Sequence, residues 1–145
     1  MPRFLGIDYG PKRIGIALSD PEGRIASPER ILPGCGSADG DAAAVVRLAE
    51  ELEAREFVVG LPLHMDGSDS EQTARSRAFA QALAAQAPGP VHLFDERLTS
   101  HAADALLAQR QLTRKKRKQR QDAVAAAVLL GGFLEERRRL GTQGA

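Results

Sequence analysis

Cysteine is almost missing from this chain. Cys35 is the only one among 145 residues, so no intrachain disulfide and no cysteine-built zinc cluster can brace the fold. No apolar run approaches the ~20 residues of a membrane-spanning helix. Asp8 comes too early for the apolar stretch of a secretion signal. A cytoplasmic protein with no membrane partner is therefore expected. Net charge is nearly absent too, at +1, and says little until its distribution is read. Between Arg110 and Arg120 stand seven basic residues and no acid, which leaves a net −6 on the rest of the chain. The sequence describes an acidic body with one basic segment.

What is present is the composition of a globular domain, 43% hydrophobic and 27% charged. At 145 residues the chain can bury one full core but not two. A single domain over residues 1–140 is expected, with 141–145 as a flexible tail. Its organising stretch is the opening one, FLGIDYGPKRIGIALSD, where an apolar run climbs to Asp8, turns through Gly10-Pro11 and returns as a second apolar run. Arg3 to Tyr9 is apolar on both faces and so reads as a central strand, with Arg13 to Ser19 antiparallel to it. An acid at the tip of a buried strand is costly unless something positive faces it.

Asp20-Pro21-Glu22-Gly23 carries the residues of a type I turn, which makes Asp20 a turn residue far from Asp8. A third strand is expected from about Arg24 to Leu32, at the sheet edge because Pro28 lies within it. After a loop, Asp41 is a candidate cap for a helix whose stripe is Ala44, Val45, Leu48, Ala49 and Leu52. Phe57 to Leu61 is a buried strand stopped by Pro62, and the helical crossover before it makes it parallel to the first strand. Ser68 with Glu71 fits a capping box for a helix to about Gln86. Val91 to Phe94 is a fifth strand, followed by Asp95-Glu96-Arg97. A short helix from Thr99 or Ser100 to about Gln109 comes next. Asp122 then opens a last helix with a broad apolar face. The pattern is a five-stranded mixed sheet flanked by helices, an α/β fold of the ribonuclease H kind. Sites in such sheets gather at the carboxyl ends of the parallel strands.

Asp8, Glu96 and Asp122 are thereby expected near one edge. Clustered carboxylates repel one another and stay ionised together only around cations. An all-oxygen ligand set with room for water suits Mg²⁺ or Mn²⁺. Two such ions, about 3.5–4 Å apart, can clamp the attacking and leaving oxygens of a phosphodiester. Lys12, Arg13 and Arg97 flank the same edge and suit phosphates. Arg114, Lys115, Lys116, Arg117 and Lys118 would grip a nucleic acid backbone without regard to sequence. That run holds no aromatic residue, so base stacking is not its mode. Each residue also has a plainer reading. Asp122 could merely complement a helix dipole, Asp95 and Glu96 could pair with Arg97, His64 could be a loop residue, and the basic run a solvated helix face.

Four stretches, LGIDYGPKRIGIALSD, VVGLPLHMDGSDSE, FDERLTSHAA and QDAVAAAVLL, make the sequence resemble the YqgF/RuvX family of ribonuclease H-like proteins over nearly its whole length. The resemblance implies a metal-dependent nuclease, either maturing the 5′ end of precursor 16S ribosomal RNA or resolving four-way DNA (Holliday) junctions. It places the family's acids on Asp8, Glu96 and Asp122. Related resolvases and ribonucleases H carry a further acid at the end of strand four, where this chain has Gly60-Leu61-Pro62. Glu96 must then supply that ligand from the neighbouring strand. Junction cleavage would call for a homodimer, whereas RNA processing is open to a monomer. Two other classes compete. A non-catalytic RNA-binding module would not need Asp8, and an actin-like kinase would need a second lobe that this length does not supply.

Overall fold

The computed structural model describes residues 3–98 and 114–144, with side chains described for 3–98 and 123–141. Five strands are hydrogen-bonded in the order β3-β2-β1-β4-β5. They are β1 (Arg3–Tyr9), β2 (Arg13–Ser19), β3 (Ala26–Pro33), β4 (Ala54–Leu61) and β5 (Val91–Asp95). The first three form an antiparallel meander, while β4 and β5 run parallel to β1. Helices α1 (Ala38–Glu51) and α2 (Glu71–Gln86) make the crossovers. A single 3₁₀ turn (Glu96–Leu98) follows β5, and α3 (Arg114–Gly144) ends the described chain.

The two-residue alternation of the strands feeds two separate cores. Leu5, Ile7, Ile14, Ile16, Phe57 and Val59 pack against Val45 and Leu48 of α1 and Phe79 and Leu83 of α2. On the opposite face Phe4, Ala17, Val58 and Phe94 meet Ala126, Leu130 and Leu134 of α3. Each such side chain stabilises the fold by roughly 1.5–3 kcal/mol when fully buried. Gly6 sets how closely α3 lies on the sheet. A Cβ there would stand 2.7 Å from Leu130 Cβ and 3.0 Å from the Ala126 carbonyl oxygen.

Several boundaries differ from the sequence reading, each for a local reason. The side chain of Asp20 accepts hydrogen bonds from the N–H groups of Arg24 (2.7 Å) and Ile25 (2.9 Å), which delays β3 to Ala26. Pro28 sits at the edge as expected, beside a bulge where Ile16 pairs with Arg30 but Ala17 with Pro28. Ser37, not Asp41, caps α1, its hydroxyl accepting from Gly40 N–H. Ser70 and Thr73, not Ser68 and Glu71, form the capping box of α2. Helix α3 opens at Arg114 rather than at Asp122, so Asp122 lies in its interior and not in its first turn. Lysine, arginine and glutamine are good helix formers, and no glycine or proline interrupts residues 114–122. The helix continues to Gly144. The short helix expected near 100–109 falls outside the described residues.

Candidate active site

Strands β1, β4 and β5 all end at one edge of the sheet, and two of the three expected acids meet there. Asp8 is the penultimate residue of β1 and Glu96 the first of the 3₁₀ turn after β5. Their carboxyl groups share a hydrogen bond. Burial pushes the Glu96 carboxyl up from 4.5 to about 8, helped by the charge of Asp8, the hydrogen bond with it and the charge of Asp95. Near neutral pH, without a cation, the pair therefore holds a proton. An open cleft of about 340 Å³ lies beside the two acids, walled by the Gly10–Arg13 turn, Pro62 and Gln72. A larger cavity, about 750 Å³, sits at the opposite end of the sheet around Glu50, Arg55 and Pro88, away from the acids.

Tyr9, next to Asp8, is held on three sides. Its hydroxyl donates to Asp41 Oδ2 at 2.6 Å, its ring stacks on Phe79 at 4.3 Å, and its carbonyl accepts from Gln72 Nε2 at 2.7 Å. Burial, then the hydrogen bond and charge of Asp41, lift the Tyr9 phenol above its ordinary range. Asp41 is 1% exposed, and its other oxygen accepts from Cys35 N–H at 2.8 Å. Sequence reasoning missed this brace. With Ser37 as the cap, however, Asp41 falls on the same helical face as Val45 and Leu48, and an acid on an apolar stripe needs a buried partner.

Lys12 and Arg13 are exposed on the wall of the cleft. Arg97 is engaged elsewhere. Its guanidinium forks onto Asp95, at 2.6 Å from Nη2 and 3.0 Å from Nε, while Nη1 donates to the Met65 carbonyl at 3.2 Å. That hydrogen bonding draws the Asp95 carboxyl below the usual range. Asp95 is thus the partner of Arg97, whereas Glu96 turns to Asp8. His64 is a loop residue, its N–H donating to the Ser68 carbonyl. The basic residues Arg114 to Lys118 lie on the first turns of α3. Their side chains, and that of Asp122, are outside the described set. Among the described residues no three metal-ligating side chains come together.

A family model, that of RuvX, described as Holliday junction resolvase, matches residues 2–136. The chain belongs to the RuvX family. Among RuvX-type relatives, a protein of Rhodopirellula baltica is 45% identical over 96% of this chain and 80% of its own. One of Moorella thermoacetica is 44% identical over 98% and 99%. Both bear the name "Putative pre-16S rRNA nuclease". These descriptions share one activity, that of a nuclease. In fold, Thermus thermophilus RuvC in complex with a Holliday junction substrate superposes with a TM-score of 0.60 at 15% identity, covering 95% of this chain and 96% of that one. The ribonuclease H-like mixed sheet and the family expected from the four motifs are both borne out.

Proposed function

We propose that this RuvX-family chain is a cytoplasmic nuclease that uses Mg²⁺ or Mn²⁺ to hydrolyse phosphodiester bonds in precursor 16S ribosomal RNA. The observation that carries this reading is the Asp8–Glu96 pair, two carboxyl groups brought into hydrogen-bonding contact beside an open cleft. The donor set fits the ions, since it offers only oxygen and leaves room for water. Asp122 is the third ligand in this reading. Its support is a matched step along two elements. Leu134 packs with Phe4, and Leu130 and Ala126 close on Gly6. Four helical residues rise ~6 Å, and two strand residues advance ~6.7 Å. One further step of each brings residue 126 level with Asp8, and residue 122 follows one helical turn beyond, past the carboxyl end of β1.

When bound, the ions supply positive charge that activates a water and offsets charge on the leaving oxygen. The chain's own residues do the rest. The Tyr9 brace fixes the backbone beside Asp8, so its carboxylate is oriented before substrate arrives. Lys12 and Arg13 hold the phosphate across the cleft. Arg97 ties the 3₁₀ turn bearing Glu96 to the 64–68 loop, which suits a role in shaping the rim as well as in binding. Arg114 to Lys118 grip the nucleic acid backbone away from the reacting bond.

The family model's description favours a second reading, cleavage of four-way DNA junctions by a homodimer. A cleavage assay with Mg²⁺ or Mn²⁺ decides, offering precursor 16S RNA, single-stranded RNA and a four-way junction to wild type and Asp8→Asn. Precursor RNA is expected to be cut, with at least a ~10²-fold loss in Asp8→Asn. Preference for the junction would select the second reading. Equal binding with no cutting by either protein would leave a binding module.

A further inference from the structure

Strand β4 runs between β1 and β5, so the two acids come from strands that are not neighbours. Ile7 pairs with Val59, and Gly60 pairs with Phe94. Gly60 therefore stands in line between Asp8 and the end of β5. Strands next but one are roughly 10 Å apart, so the Glu96 side chain must cross β4 to share its hydrogen bond with Asp8. It crosses directly over Gly60. A Cβ at that position would fall 2.9 Å from both Cγ and Cδ of Glu96, and would also clash with its Oε1. Backbone conformation does not demand glycine here. The described glycines with positive φ are Gly23, Gly36 and Gly67. The requirement at position 60 is one of space.

We propose that Gly60 is a positioning residue whose missing side chain forms the socket through which Glu96 reaches Asp8, so that any larger residue there expels Glu96 from the metal site. The inference rests on the reading of Asp8 and Glu96 as ligands. It also has a corollary. The socket accepts one carboxylate, either from the turn after β5 or from an acid at position 60, and excludes both at once.

Calorimetric titration of the full chain with Mn²⁺ tests this, with melting curves to confirm folding. Gly60→Ala is expected to weaken Mn²⁺ binding by about tenfold or more, the range for groups that orient a ligand. Added to Glu96→Ala, the same substitution is expected to change nothing further, because both act through one contact. Gly60→Asp with Glu96→Ala is expected to bind Mn²⁺ more tightly than Glu96→Ala alone. The proposal is overturned if Gly60→Ala binds like wild type, or if its loss adds in full to that of Glu96→Ala. Should Gly60→Ala not fold, the relocated acid decides, and no gain over Glu96→Ala overturns the proposal. A wild type that binds no tighter than Asp8→Asn overturns the metal reading itself, a result distinct from the others.

Discussion

As a metal ligand, the role proposed for it above, Glu96 would set function against stability at the level of a single carboxyl. Its folded pKa, about 8, lies above the ordinary 4.5, so the folded state holds a proton that the unfolded chain has released between those values. Stability from this group is complete below pH 4.5 and is lost as pH rises through 8. The metal-free protein should therefore melt at a lower temperature at pH 8 than this group would allow at pH 5. Glu96→Gln removes the charge and should raise the melting temperature at pH 8 in chelator, because the buried glutamate must ionise there at a cost the amide does not bear. At pH 5 the two proteins should melt alike. Mg²⁺ should stabilise wild type more at pH 8 than at pH 6, because the proton competes with the ion. A Glu96→Gln protein less stable than wild type at pH 8 would show that the pair is not strained. Asp8 and Glu96 were legible as single acids after apolar runs. Their partners were not. Asp41 reads equally well as a cap until Ser37 is known to take that place, and a glycine at position 60 carries no chemistry to read.

Between elements, the decisive contact is the close seat of α3 on β1. Gly6→Ala would drive a methyl group into Leu130 Cβ and the Ala126 carbonyl, neither of which is the free end of a flexible chain. Overpacking of this kind costs about 1–3 kcal/mol. Urea unfolding should show a lower midpoint, and Mn²⁺ affinity should fall as α3 is pushed from the Asp8 end of the strand. An unchanged midpoint would mean that α3 shifts freely on the sheet. Strand identity, the edge position of β3 and the parallel direction of β4 and β5 followed from apolar runs, Pro28 and the crossovers. Helix starts did not. Ser37, Asp41, Ser68 and Ser70 all suit a cap, and tertiary packing chooses among them. At α3 the change from basic to apolar residues near Asp122 falls inside the helix, not at its start.

Across the whole molecule, charge is divided between an acidic body and the basic run from Arg110 to Arg120. Backbone grip by that run predicts steep salt dependence, with the slope of log K against log salt falling by ~0.7–0.9 for each phosphate contact. Replacing Arg114, Lys115 and Lys116 by alanine should make that slope shallower by about 2–3 and weaken RNA binding evenly across sequences. An unchanged slope would assign the grip elsewhere. The order of the sheet has one more consequence, in time rather than space. Asp8 leaves the ribosome early and Glu96 much later, and β4 must be seated between their strands before either acid can meet the other. An unfinished chain therefore carries no carboxylate pair. With the pair as metal ligands, as proposed above, the fold acts as an interlock, and the enzyme stays inert at least until its own synthesis has passed the fifth strand.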